Sequence, residues 1–271
     1  MTGLQDVKKI RLHHLGQAKR AGEKITMLTA YDRPTAAIFD AAGIDLLLVG
    51  DSMGNAVLAY ETTLPVSLDD CVRATRAVAA GATRALVVAD LPFGTYEASP
   101  ERCFDSAAAL MKVGAEAVKL EGGARVAAQI ALLSGAGIPV MAHLGFTPQS
   151  VHALGGNRVQ GRDAASARRL VVDAQAVQDA GAFAVVLEMM PVPLAAQVTA
   201  ALEIPTIGIG AGAVTDGQVL VWTDMAGMGE WQPSFVKRFG EVGAALRDAA
   251  AAYARAVRDT SFPDSAHSFE S

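Results

Sequence analysis

Ala41-Ala42-Gly43-Ile44-Asp45-Leu46-Leu47-Leu48-Val49-Gly50-Asp51-Ser52 contains one complete unit of the fold. An alanine-rich helix stops at a glycine, which supplies the left-handed residue that ends a helix. A short, nearly continuous apolar run follows, the pattern of a strand covered on both faces. The run closes on an acid. The same helix–glycine–strand sequence recurs at Ala80-Gly81, Val113-Gly114, Ala136-Gly137 and Ala180-Gly181. Eight strands are predicted, over 25–30, 46–50, 85–90, 117–121, 139–143, 184–188, 206–209 and 219–222. The helical segments between them are 34–42, 68–80, 100–113, 125–134, 164–180 and 193–201. Repetition of one unit with no Pro/Ser-rich linker favours a single (β/α)8 barrel over a doubly wound sheet. Residues 4–20 read as an extra N-terminal helix that could plug the barrel bottom, and 241–258 as a final amphipathic helix. One domain over 1–259 and a mobile tail over 260–271 complete the expectation.

Composition narrows the function. With 271 residues, 51% of them hydrophobic, the chain can bury a large core. A net charge of −5 and no Lys/Arg block argue against nucleic acid as partner. No apolar stretch approaches the roughly 18 residues of a membrane span, and residues 1–9 lack the apolar core of a secretory signal. Cys71 and Cys103 stand alone, without metal-ligand spacing, so a reducing cytoplasm is expected.

The chemistry is written at the strand ends. Asp51, Asp90, Lys119, Glu121, His143 and Glu188 each stand at or near the close of an apolar run, and barrels of parallel strands carry their catalytic groups there. Asp51, Asp90 and Glu121 on neighbouring strands would converge, and like charges that converge call for a cation. An oxygen-only set suits Mg2+; unrelated helix-cap or surface carboxylates are the alternative. Lys119 and Glu121 alternate, so both face the same side. Lys119 would hold a substrate carboxylate, serve as a Schiff-base nucleophile, or form a structural ion pair. Carboxylates nearby would keep its pKa high and oppose the second role. Glu188 lies among apolar residues, where desolvation favours a general base; a metal ligand or salt-bridge partner competes. His143 could donate to a substrate oxygen or be a structural histidine.

Two motifs carry less. Gly50-Asp-Ser52-Met-Gly54 matches a nucleophile elbow formally, but the chain that follows lacks the capped helix this motif needs. Gly208-Ile-Gly-Ala-Gly212 could cradle an anion but names no nucleotide. The long connections 53–67 and 145–162 follow the second and fifth strands and are lid candidates.

Specific blocks then point further. Met27-Leu-Thr-Ala-Tyr-Asp32, Val49-Gly-Asp-Ser-Met-Gly54, Val88-Ala-Asp-Leu-Pro-Phe-Gly94, Val118-Lys-Leu-Glu-Gly122, Ala142-His-Leu-Gly-Phe-Thr-Pro-Gln-Ser150 and Asp216-Gly-Gln-Val-Leu-Val221 occur in this order. In them, and across roughly residues 8–240, the chain resembles the ketopantoate hydroxymethyltransferase family. The resemblance implies a barrel of the phosphoenolpyruvate/pyruvate-like type and a homo-oligomer, commonly a decamer. It also implies Mg2+, and 5,10-methylenetetrahydrofolate as one-carbon donor to the 2-keto acid 3-methyl-2-oxobutanoate. By position, Asp51, Asp90 and Glu121 take the metal roles. Asp51, Ser52, Asp90 and Lys119 take contacts to the keto acid with His143 beside them, and Glu188 accepts the proton. The chain departs from the family pattern at Arg73-Ala74, at Trp222-Thr223 and at Asn157. Rival readings are a folate-independent Mg2+ lyase or aldolase, and a barrel that only binds a keto acid.

Overall fold

The computed structural model describes residues 3–269 and closes all eight expected strands into one parallel barrel, each strand pairing its sequence neighbours and β8 returning to β1. The strands are β1 Ile25–Thr29, β2 Leu46–Val49, β3 Leu86–Asp90, β4 Ala117–Glu121, β5 Val140–Gly145, β6 Ala184–Glu188, β7 Thr206–Ile209 and β8 Gly217–Leu220. The helices are α1 Leu12–Ala21, α2 Arg33–Ala41, α3 Met53–Ala56, α4 Leu68–Ala79, α5 Pro100–Lys112, α6 Ala127–Gly135, α7 Ala164–Asp179, α8 Val192–Ala201, α9 Trp222–Met225 and α10 Val242–Arg258. The chain separates into two compact units, one ending at Leu220 and holding the barrel, the other beginning at Val221 and holding α9 and α10.

All eight strands fall within two residues of expectation. The eighth begins two residues early, because the apolar run Val219–Trp222 overlaps the start of α9. Gly217 opens it where a Cβ would lie 2.5 Å from the Ile25 carbonyl oxygen, an approach that glycine alone allows. A further difference concerns residues 4–20, which are not one helix. A 3-10 turn at Leu4–Asp6 precedes an extended link to α1, and Ile10 N–H donates to the Arg84 carbonyl at 2.8 Å. The plugging role is nevertheless met, since Leu4, Ile10, Leu15 and Ala18 share one buried cluster with Ile25, Leu46, Leu86, Ala117 and Ala184. In the expected tail, Ser265–His267 form a 3-10 turn whose Asp264 accepts from His267 N–H. The last two positions lie outside the described residues.

The barrel interior explains where chemistry can occur. Along β3 the inward column reads Leu86, Val88, Asp90; along β4, Ala117, Lys119, Glu121; along β5, Met141, His143; along β6, Ala184, Val186, Glu188. The lower members of each column belong to the buried apolar cluster. Because side chains alternate along a strand, the groups two residues further on occupy the same interior at the carboxyl end. Each column thus changes from hydrocarbon to charge within one strand.

Candidate active site

Parallel register sets the pairs. Asp90 lies opposite Lys119 and Glu121 opposite His143, while Glu188 lies opposite Gly145. Lys119 Nζ donates to Asp90 Oδ1 at 2.5 Å, and both side chains are buried. The other Asp90 oxygen accepts from Asp51 N–H at 3.0 Å, which brings the turn after β2 onto the end of β3. Gly50 permits that turn: a Cβ there would stand 2.8 Å from Ser52 Oγ and 3.4 Å from Asp90 Oδ2. Ser52 precedes the single helical turn α3 without a capping hydrogen bond from its side chain, and its Oγ lies 2.8 Å from the Tyr31 hydroxyl. A helical turn therefore does follow Ser52, contrary to expectation. The hydrolase arrangement is still absent, since His143 is paired elsewhere.

His143 stands between two acids. Its Nδ1 is 3.2 Å from Glu121 Oε1, within hydrogen-bond geometry, and its Nε2 is 3.2 Å from Glu188 Oε2, close enough for an ion pair but not aligned as a hydrogen bond. Burial and the Lys119 charge push the imidazole pKa down, but the two carboxylates overcome them and raise it to about 9. The two carboxylates thus favour the protonated imidazole. The Glu188 side chain keeps 15% of its exposure, whereas those of Asp90, Lys119, Glu121 and His143 keep 5% or less, so it faces the mouth of the barrel. Met189, immediately after it, has a φ of 45°, an uncommon conformation for a side-chain-bearing residue, of the kind that gathers at functional sites.

All seven residues expected from the sequence thus line one interior, and three more join them. Gln149, on a 3-10 turn Pro148–Ser150 in the long connection after β5, reaches into the acids. Its Nε2 donates to Asp51 Oδ2 at 2.8 Å and to the Leu91 carbonyl at 3.0 Å, and its backbone N–H donates to Glu121 Oε2 at 3.0 Å. Tyr96 donates to Gln149 Oε1 at 2.6 Å, and Tyr31 holds Ser52. Gln149 and Tyr31 lie inside the motif blocks quoted above; a lone glutamine in a polar loop carries no other signal. Tyr96 had none.

The charges are unevenly matched. Burial, then the Asp90 and Glu121 charges, raise the Asp51 pKa to about 7 despite Lys119 and the Gln149 hydrogen bond. Lys119 is pushed down by burial, but Asp90, Glu121 and Asp51 together lift it above the ordinary lysine value. A neutral amine is disfavoured, which opposes the Schiff-base role. Among the described residues no three His, Cys, Asp or Glu side chains form a ready metal cluster. The three expected ligands divide: Asp51 and Asp90 are neighbours, whereas both oxygens of Glu121 are held by His143 and Gln149. Two oxygen ligands short of positive charge still fit Mg2+, which takes one or two protein carboxylates and completes its shell with water and substrate.

Comparison with known proteins identifies the family. The ketopantoate hydroxymethyltransferase family matches residues 9–265. A 3-methyl-2-oxobutanoate hydroxymethyltransferase of Rhodococcus jostii (strain RHA1) is 61% identical over 264 residues, covering 97% of this chain and 91% of the relative. One of Mycobacterium tuberculosis (strain ATCC 25618 / H37Rv) is 59% identical over 263 residues, covering 96% and 93%. Among solved structures, phosphonopyruvate hydrolase in complex with oxalate and Mg++ aligns with a TM-score of 0.61 at 15% identity, over 94% of this chain and 92% of that one. A 2,3-dimethylmalate lyase of the PEP mutase/isocitrate lyase superfamily aligns at 0.59 and 16%, over 96% and 89%. At such identities these two speak for the barrel alone.

Proposed function

Since the chain belongs to the ketopantoate hydroxymethyltransferase family, we propose that it moves a one-carbon unit from 5,10-methylenetetrahydrofolate to 3-methyl-2-oxobutanoate, with Glu188 as base and Mg2+ at Asp51 and Asp90. The observation that carries this reading is the division of the barrel mouth. An Asp51–Asp90 pair short of positive charge stands on one side, and the partly exposed Glu188 beside His143 stands on the other.

Asp51 and Asp90 would hold the cation, with Glu121 adding charge behind them and Lys119 fixing Asp90. A divalent cation there would draw electron density from the carboxylate and keto oxygens of the keto acid and so acidify its C3 proton. Ser52, its hydroxyl set by Tyr31, and Lys119 supply donors for the same oxygens. Glu188 removes the C3 proton. His143 keeps the Glu188 carboxylate turned toward the substrate rather than toward solvent. The resulting C3 nucleophile forms a bond to the donor's methylene carbon, and water supplies the new hydroxyl oxygen. Both bonds from that carbon to the two folate nitrogens break, and the nitrogens take up one proton from C3 and one from the water. The products are 2-dehydropantoate and tetrahydrofolate. A cytoplasmic setting accords with two free, buried cysteines, and the same reading carries a homo-oligomer, a decamer by resemblance.

The test is formation of 2-dehydropantoate from the keto acid and donor, with Mg2+ and then with EDTA. Product that requires both is expected. Product made with free formaldehyde but indifferent to folate would remove the donor, and indifference to EDTA would remove the metal.

A further inference from the structure

The acids at the barrel mouth are not equally free to meet a cation. Asp90 accepts from Lys119 with one oxygen and from Asp51 N–H with the other, and the two Glu121 oxygens are taken by His143 and Gln149. Asp51 Oδ2 accepts from Gln149 Nε2 at 2.8 Å. Asp51 Oδ1 is the one oxygen of these carboxylates that accepts no hydrogen bond among the described residues. A single side chain, that of Gln149, therefore decides how Asp51 presents itself.

That side chain has little freedom. Gln149 is 6% exposed, and its main chain is fixed on both sides. Phe146 N–H donates to the Glu188 carbonyl at 2.8 Å and Gln149 N–H to Glu121 Oε2 at 3.0 Å, so the connection enters the site as a continuation of β5. Neighbours also decide which way the amide points. Nε2 donates to the Leu91 carbonyl at 3.0 Å as well as to Asp51, and Oε1 accepts from the Tyr96 hydroxyl at 2.6 Å. Turned over, the amide would set its oxygen against two acceptors. Tyr96 is itself buried and held in turn. Its hydroxyl accepts from Glu121 N–H at 3.2 Å, and its carbonyl accepts from Gln129 Nε2 at 3.2 Å. A chain of buried polar groups thus runs from α6 through Tyr96 and Gln149 to one oxygen of Asp51. Such a network, fully paired, rigidifies the group on which it ends. The proton transfer at Glu188 makes no use of it.

We propose that Gln149, oriented by Tyr96, is a positioning residue that restricts Asp51 to ligation through one oxygen and so makes the site select Mg2+ over Ca2+. The proposal rests on the cation reading above. Mg2+ is small and demands near-octahedral geometry, whereas Ca2+ takes a larger, more flexible shell and readily accepts a carboxylate through both oxygens. An amide bound to Oδ2 opposes the rotation that would bring both Asp51 oxygens onto one cation. Its loss would cost Mg2+ a fixed ligand and give Ca2+ a bidentate one.

The test reads cation binding without turnover. Mg2+ and Ca2+ are each titrated against bound Mn2+, with the released Mn2+ followed by electron paramagnetic resonance, in the wild-type protein, Gln149→Leu and Tyr96→Phe. The wild type is expected to hold Mg2+ more tightly than Ca2+. Gln149→Leu removes the amide and keeps the main-chain contact to Glu121. It is expected to weaken Mg2+ about tenfold while Ca2+ holds within about twofold, the size of effect that follows loss of a group orienting a metal ligand. Tyr96→Phe leaves the amide without its orienting partner and should move the same ratio about threefold in the same direction. It is the milder change, and it carries the test if circular dichroism shows Gln149→Leu to be poorly folded. No preference in the wild type, or equal weakening of both cations in a folded variant, would overturn the selectivity role; an unmoved ratio in Tyr96→Phe would overturn the orienting one. Wild-type protein that binds no Mn2+, or binds it equally well after Asp51→Asn, would overturn the cation reading itself.

Discussion

At the scale of single residues, the site depends on which acid is free to accept a proton. Asp90 is held by Lys119 and Glu121 by His143 and Gln149, whereas Glu188 has a single partner and some exposure. Glu188→Gln keeps shape and removes basicity. It is expected to lower turnover about 10³-fold and to abolish exchange of the keto acid C3 proton into D2O, with keto-acid affinity changed less than threefold. Exchange at the wild-type rate, followed by NMR, would take the base role from Glu188. His143 makes a second prediction, on stability. Its folded pKa of about 9 lies above the ordinary value of 6.5. A raised basic group stabilises the fold fully below its unfolded pKa, and the contribution fades as pH rises through the folded one. The wild-type enzyme in EDTA should therefore exceed His143→Gln in stability by about 3 kcal/mol near pH 6, with the gap shrinking between pH 6.5 and 9. A gap that widens with pH, in paired urea melts, would mean that the histidine is buried neutral.

Elements divide the molecule's duties between the two ends of each strand. At the amino ends carboxylates are structural: Asp45 Oδ2 accepts from Thr26 N–H and its hydroxyl, and Asp216 Oδ2 does the same for Thr206 while pairing with Lys19. At the carboxyl ends the acids face one another. This division was legible in part. The alternation of apolar runs with Ala-Gly stops located the strands, and the alternation within β4 placed Lys119 and Glu121 together. Acid type alone did not separate Asp45 from Asp51, six residues apart on one strand and its turn; position relative to the apolar run did. Gln149 escaped because its role depends on a loop conformation that no periodicity encodes, and the break of 4–20 escaped because Ile10 serves the β3 entrance rather than a helix face. The N-terminal segment allows a test of the division. Leu15 is 1% exposed within the bottom cluster, so Leu15→Ala should cost about 3 kcal/mol, read as a lower urea midpoint. Turnover per folded molecule at 25 °C should stay within twofold, because the cavity opens at the far end of the strands. A loss of turnover matching Glu188→Gln would mean that the plug shapes the site.

For the whole molecule, the unit beginning at Val221 makes the case for association. Helix α10 spans 17 residues and buries none of them. Val242, Leu246, Tyr253 and Val257 are 47%, 60%, 63% and 45% exposed, and their spacing of four, seven and four puts them on one stripe of the helix. Ala249 fills the gap in that stripe, so the apolar surface is continuous. Isolated exposed apolar residues are ordinary, but a continuous stripe along a helix of this length marks an interface. Each large side chain would contribute about 1.5–3 kcal/mol on burial, enough in sum to hold a complex against the entropy of association. A second copy of this chain is the occupant that accords with the proposed homo-oligomer, and identical stripes are self-complementary in hydrophobicity. Light scattering on the eluted protein should therefore give a multiple of the 28.0 kDa chain mass. Leu246→Glu with Tyr253→Glu should shift it to a smaller species, because two carboxylates placed in an apolar contact lose their hydration without gaining partners. Circular dichroism of that variant should keep its helical signal, which separates lost association from lost folding. A wild-type mass of 28.0 kDa at micromolar concentration would remove the homo-oligomer and leave the stripe without a role.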